Sequence, residues 1–337
     1  MGVIAGQGAY PTTIEELLGA DLLRRMSRLD VVSRKIFAGK MPGERRSKRR
    51  GQSVEFDDYR DYVPGDDLRH IDWNVFARLD RFFIKLFREE EDLAVRVVLD
   101  CSGSMRAGDP SKLVFASRLA MAIGSIGLVN MNRVSCATFG WGGEPGVVEL
   151  APMRGRRNVE RLGRFLLDAL ERSERDRPIG AESGHKPVRS GGFLEAARRI
   201  ASPRHAGGRG VMIVISDFLV QEGLIEGLNY YAGGVGGGGA FDTTCLQVLS
   251  PDEIDPSLAR ERGLIGDLRL TDVESGRATE VTVSAALLKR YRERFDAHQA
   301  LLERSCHARS MGHMLVPTDT DLESLLMGQL RRRGLFR

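Results

Sequence analysis

"VVLDCSGSMR", Val97 to Arg106, is the stretch on which the fold turns. Its first half is a run of apolar, mostly β-branched residues of the kind that fills a strand buried on both faces. Its second half turns polar and sets one carboxylate and two hydroxyls, Asp100, Ser102 and Ser104, two residues apart around Gly103. In an open parallel sheet, ligands bind at the carboxyl ends of the strands, where the loops diverge and helix N-termini point inward. Three hard oxygens on such a turn mark a candidate site.

Working outward, "LAVRVVLD" reads as a strand, Ser111 to Val129 as a helix, "NRVSCATF" and "GVVEL" as two more strands and Arg157 to Leu170 as a helix. Gly191 to Ala201 reads as a short helix, and "GVMIVISDF" and "DTTCLQVL" as strands. Val- and Ile-rich runs alternating with helices predict an α/β fold, a doubly wound, mostly parallel sheet with Rossmann-type layers. "GDLRLTDVESGRATEVTV", Gly266 to Val283, predicts an inserted hairpin. An amphipathic helix through Leu288, Tyr291, Phe295 and Leu302, a last strand "HMLVP" and a closing helix from Asp319 to Arg333 follow it. Upstream, Thr13 and Glu16 form a capping-box pattern, and Leu22, Met26, Leu29 and Ile36 continue it at helical spacing, so a helix of about five turns or more is expected. The division is residues 1–92, an N-terminal helical/β extension, and residues 93–337, the main domain with its hairpin near 266–283.

With 337 residues, 42% hydrophobic and 28% charged, the chain can bury a normal core. A net charge of +4 from 50 basic and 46 acidic residues is too dispersed to argue for nucleic acid. The basic runs "ERRSKRR", Glu44 to Arg50, and "RRRGLFR" offer nonspecific phosphate contacts without an aromatic-basic motif, so no specific nucleic acid is expected. Cys101, Cys136, Cys245 and Cys306 lie far apart, which fits reduced thiols in a cytoplasm. "MGVIAGQGAYPTT" lacks a leader pattern, and the longest apolar stretch, Leu113 to Val129, carries Arg118 and reads as a core helix. The expectation is a cytoplasmic protein without a transmembrane segment. Glu171 to Ser190 and the glycine-rich "YAGGVGGGGA", Tyr231 to Ala240, read as loops.

A second acid, Asp217, ends "VMIVISDF", so two carboxylates from two strand ends face one crevice. Oxygen donors with waters completing an octahedron suit Mg²⁺, with Mn²⁺ or Ca²⁺ as alternatives, and no His or Cys has the spacing for zinc. Ser102, Gly103 and Ser104 also serve to turn the strand and cap the next helix, but that leaves Asp217 unexplained.

"DCSGSM" with the later "ISD" resembles the metal-ion-dependent adhesion site of von Willebrand factor A domains. The resemblance implies Asp100, Ser102, Ser104 and Asp217 as metal residues, the serines binding directly and the acids directly or through water. The vacant coordination position then accepts a partner's carboxylate. "GQSVEFDDYRDYVPGDDLRHIDW", Gly51 to Trp73, running into "FFIKLFREEEDLAVRVVLDCSGSM", closely resembles the bacterial family called domain of unknown function fifty-eight. The likeness spans roughly Leu22 to Arg333. Members are von Willebrand factor A-like and commonly accompany MoxR-type AAA+ ATPases. That implies a non-enzymatic protein-interaction module, an adaptor or co-chaperone of such an ATPase acting on an unknown client.

One departure stands out. The family places a Gly-Thr or similar hydroxyl in the second metal loop, whereas this chain has "RSGGFLEAA", in which Gly192 and Phe193 bring no side-chain oxygen. Ser190 or a water is left to substitute. Arg60, Asp66, Asp67, Arg69 and Asp72 form either a partner surface or an internal ion-pair and turn network, and Trp73 reads as core. The six histidines are scattered and read as surface or satisfied core residues.

The rival reading is a phosphoester-cleaving enzyme. Aspartyl phosphotransfer pairs its nucleophile with a second Asp two positions on, where this chain has Ser102, and Cys101 to Arg106 is one residue short of a cysteine phosphatase loop. No His is placed by motif to complete a triad. Nonspecific nucleic-acid binding through the basic runs ranks third.

Overall fold

The computed structural model describes residues 10–19, 22, 25, 29–33, 55–88, 93–140, 146–175, 192–201, 210–220, 222–233, 241–257, 267–271, 278–282 and 285–336. The chain divides into two compact units, Met1–Ile36 with Leu93–Arg337, and Phe37–Asp92. The first 36 residues, read from sequence as part of the extension, thus cluster with the larger unit. The basic run Arg45 to Arg50 lies outside the described residues.

The larger unit opens on α1 (Ile14–Leu17). Its cap is the expected box: the Thr13 hydroxyl accepts from Glu16 N–H, and the Glu16 carboxylate accepts from Thr13 N–H. The expected helix is broken there, because Leu18 is already extended, with φ −142°; Leu22 and Arg25 are helical again, and Met26 and Ile36 lie outside the described residues. Leu17 and Leu18 are adjacent and both buried, and satisfying both pulls the chain off a helical path. Further on, Val31 bridges Phe336, and Leu335 and Phe336 are buried, so the closing "RRRGLFR" run is anchored in the core.

The smaller unit pairs β1 (Glu55–Asp61) antiparallel with β2 (Phe83–Arg88), with α2 (Trp73–Leu79) between them. Two strands and one short helix have little to bury against. Trp73, expected in the core, is accordingly 60% exposed, edge-on to Phe76 and Phe82.

In the rest of the larger unit the order is β3 (Ala94–Asp100), α3 (Lys112–Val129), β4 (Arg133–Phe139), β5 (Val148–Met153), α4 (Val159–Arg175), α5 (Gly192–Ile200) and β6 (Gly210–Ser216). Then come α6 (Leu224–Tyr231), β7 (Phe241–Leu249), α7 (Pro251–Ile254), β8 (Asp267–Thr271), β9 (Ala278–Thr282), α8 (Ala285–His307), β10 (Gly312–Pro317) and α9 (Leu322–Ser324). Six strands form one sheet in the order β10-β7-β6-β3-β4-β5, all parallel except the edge strand β5. Numbered within the sheet, this is the doubly wound order 3-2-1-4-5-6. β8 and β9 make the expected hairpin, Asp267 opposite Thr282.

Alternation along β3 sorts the two layers. Val95, Val97 and Leu99 face a core shared with α3, α4 and the closing Leu325–Leu330 turn, while Ala94 and Val98 face one built with α5, α6 and α8. By length and a mean hydropathy of 1.6, α3 would suit a membrane span, and here it is packed in the first of these cores. Helix α4 runs on to Arg175, five residues past its expected end and into the segment read as a loop; residues 176–191, Ser190 among them, lie outside the described set. Helix α6 was not expected and absorbs Tyr231, read from sequence as the start of a glycine loop.

Candidate functional site at the sheet switch point

The sheet order reverses between β3 and β6, and the crevice at that reversal is where an open α/β sheet binds ligands. Asp100 is the last residue of β3, and Ser216 the last of β6, with Asp217 next. The structure therefore brings Asp100, Ser102, Ser104 and Asp217 together. Both acids are buried, at 3% and 2% exposure, while the two serines are half-buried and form the open side.

The β3 loop is held by its own donors. Asp100 Oδ1 accepts from Ser102 N–H at 2.9 Å, and Oδ2 accepts from the Ser216 hydroxyl at 2.6 Å. Gly140, at the end of β4, has φ +90°, and a Cβ there would stand 2.6 Å from Ser102 N and 2.9 Å from Asp100 Oδ1. Only glycine leaves room for this turn. Burial pushes the Asp100 carboxyl up to about 6, helped by the neighbouring charge of Asp217.

On the β6 side, Asp217 Oδ1 accepts from Leu219 N–H at 3.1 Å, and Ser104 donates a further bond to the carboxylate. Phe218, between them, sits in the left-handed region at φ +53°, a strained conformation for a bulky residue, pinned by Ser216 Oγ accepting its N–H at 3.0 Å. The remaining oxygen, Oδ2, is taken by a residue the sequence reading did not single out. Lys112, the first residue of α3 and fully buried, donates to Asp217 Oδ2 at 2.9 Å and to Glu253 Oε1 at 2.6 Å. Burial disfavours both charges, yet the pairing outweighs it: Lys112 stays above its ordinary value, and Asp217 falls below the usual carboxylate range. Glu253 is fixed in turn, its Oε2 accepting from Ser250 N–H at 2.9 Å.

Ser102 Oγ and Ser104 Oγ share a hydrogen bond at 3.1 Å, either hydroxyl able to donate. Mg²⁺ binds oxygen at roughly 2.1 Å in an octahedron, which places neighbouring ligand oxygens about 3 Å apart. The two hydroxyls thus already span one octahedral edge, beside a carboxylate at each strand end. This all-oxygen set fits a hydrated hard cation. Among the described residues no group of three or more His, Cys, Asp or Glu converges to hold a metal, so the hydroxyls are indispensable to such a site.

In the second metal loop, Ser190 lies outside the described residues, and the described part brings no side-chain oxygen at Gly192 or Phe193. Gly192 starts α5 and Phe193 is buried, its ring edge-on to Phe139, Phe218 and Tyr231, so an apolar plug stands where the family places a hydroxyl. His298 and His313 are satisfied nearby, at Phe218 O and Gln247 Oε1, each at 3.1 Å. Cys101 is buried and its thiol is pushed well up by burial, far from a thiolate nucleophile.

In the smaller unit, the residues weighed as a partner surface pair locally. Arg60 meets Asp66 at 2.9 Å and Arg69 meets Asp67 at 2.8 Å. Asp72 caps α2 and binds the Tyr59 hydroxyl at 2.8 Å and Lys85 at 3.0 Å.

Comparison with known proteins finds relatives along most of the chain. The chain is 26% identical over 289 residues to the proteins named "Uncharacterized protein Rv1480" of Mycobacterium tuberculosis and "Uncharacterized protein Mb1516" of Mycobacterium bovis, covering 84% of this chain and 81% of each relative. Among solved structures, the conserved hypothetical protein BatB from Bacteroides thetaiotaomicron aligns with 71% of this chain and 98% of its own, at 15% identity and a TM-score of 0.33. The pilus adhesin SpaC from Lactobacillus rhamnosus GG aligns with 72% of this chain and 30% of its own, at 11% identity and a TM-score of 0.37. Residues 58–301 match the family described as "Protein of unknown function DUF58". With most of its length inside that match, the chain belongs to the DUF58 family.

Proposed function

We propose that this protein is a non-enzymatic interaction module that docks a partner's carboxylate through a hard cation, Mg²⁺ by preference, held at Asp100, Ser102, Ser104 and Asp217. The observation that carries the reading is the 3.1 Å edge formed by the two serine hydroxyls at the switch point of the sheet. Bound there, the cation supplies a Lewis-acidic position for an incoming Asp or Glu. Ser102 and Ser104 supply direct oxygens; Asp100 and Asp217 supply charge and orient water around it. A non-enzymatic role is supported by the state of the candidate nucleophiles: both oxygens of Asp100 already accept hydrogen bonds, and Cys101 is a buried thiol. The family likeness suggests the partner, a MoxR-type AAA+ ATPase served as adaptor or co-chaperone, and four free buried cysteines suit the cytoplasm that such a role requires.

Calorimetry of the whole chain against a purified MoxR-type ATPase from the same cell tests this. The expected result is tighter binding in Mg²⁺ than in chelator, with the difference lost in Ser102→Ala. Equal affinity in all four conditions would remove the cation from the mechanism, and no binding in any of them would remove the partner.

A further inference from the structure

Lys112 changes what the site can do with a metal. Its ammonium is fully buried and bridges Asp217 and Glu253, which come from elements 105 and 141 residues further along the chain. Nothing in the sequence reading gave it a role. An ionised carboxylate has about four lone-pair positions. Three of those on Asp217 are spent on Lys112, on Leu219 N–H and on Ser104. Asp100 spends both oxygens on Ser102 N–H and the Ser216 hydroxyl. Phe193, in the described part of the second loop, is buried against Phe218 and offers no oxygen. Among the described residues, the ligands this leaves most accessible to a cation are the two half-buried hydroxyls, and recruiting Asp217 Oδ2 would mean breaking a buried ion pair.

We infer that Lys112 is a tethered competitor for the metal: by holding Asp217 it keeps the isolated site weak, so that cation and partner carboxylate bind together or hardly at all. The inference rests on the proposed metal-dependent docking and adds its ordering. A hard cation with two hydroxyl ligands keeps most of its water, and an incoming carboxylate supplies the anionic oxygen that Asp217 withholds. Lys112 acts through Asp217, so it is a positioning residue.

The test is Mn²⁺ binding followed by electron paramagnetic resonance on the whole chain, as wild type, as Ser102→Ala, and as the double variant Lys112→Met with Glu253→Gln. The double variant removes one positive and one negative charge together, so the buried net charge is unchanged while Asp217 is freed. The expected result is weak Mn²⁺ binding by wild type, at least ten-fold tighter binding by the double variant, and none by Ser102→Ala. Titrations of wild type with and without acetate, the smallest carboxylate probe, need no substitution at Lys112, and acetate is expected to tighten Mn²⁺ several-fold. If wild type binds Mn²⁺ as tightly as the double variant, or acetate changes nothing, the role of Lys112 is overturned while the metal site stands. If neither wild type nor double variant binds Mn²⁺, the metal reading itself falls.

Discussion

Asp100 and Asp217 are the same residue type, at neighbouring strand ends, at the same depth, and they are held in opposite ways. Asp100 is surrounded by neutral donors from its own loop and from Ser216, and its carboxyl is pushed up to about 6. Asp217 faces a buried ammonium and lies below the usual range. Burial acts on both; the difference is Lys112. Pairs of acids driven apart in this way divide their roles, one keeping its charge at any working pH and the other taking up or giving up a proton as its surroundings change. At this site the acid held below its ordinary value is occupied from within, and the acid raised above it borders the open serines.

The largest effect should come from removing the lysine alone. Lys112→Met leaves Asp217 buried and uncompensated beside the part-buried Glu253, and breaking a buried pair on one side costs about 3–5 kcal/mol. Urea unfolding at neutral pH should show that loss, and a loss below about 1 kcal/mol would mean that the two acids are not distinguished by Lys112.

Next in size is pH dependence. Asp100 has its carboxyl raised from 3.8 to about 6 in the folded chain, so the native state binds the proton more tightly than the unfolded one. Its contribution to stability is complete below about pH 4 and is lost as pH rises through about 6, a change of about 3 kcal/mol at about 1.4 kcal/mol per unit. Asp217 runs the other way, its contribution present above its unfolded value and lost only as pH falls below the usual carboxylate range. Subtracting the stability curve of Asp100→Asn from that of wild type should isolate a decline between pH 4 and pH 7. A flat difference would show the two acids to be alike.

The smallest stability change belongs to Ser102→Ala. Its hydroxyl is half-buried and its backbone N–H, which holds Asp100, survives the substitution, so unfolding should move by no more than about 1 kcal/mol. Any Mg²⁺-dependent rise in the melting temperature should vanish with it. A variant that keeps the full rise would place the cation elsewhere.

The strand ends were legible because the signals are local. A β-branched run ending in an acid fixes where Asp100 and Asp217 fall, and parallel pairing of β3 with β6 does the rest. The lysine was not legible, since it opens an apolar helix and its partners lie 105 and 141 residues further along the chain. Its meaning arises only when β6 and the turn after β7 arrive beside it. Helix α6 was missed for a related reason: Gly227 weakens the local pattern, yet a Cβ there would stand 2.5 Å from the Phe193 ring, so the glycine serves the packing of α5 on α6. The capping box at Thr13 is present, while the break at Leu18 was not legible, because a cap marks a beginning and says nothing about length.

The most direct measurement is anomalous scattering from a Mn²⁺-soaked crystal of the whole chain, with an acetate-containing soak beside it. The expected result is a peak at about 2.2 Å from both Ser102 Oγ and Ser104 Oγ, stronger with acetate, with the Lys112–Asp217 pair intact beside it. A peak bound directly between Asp217 and Glu253 with Lys112 displaced, or no peak at the serines in either soak, would contradict it.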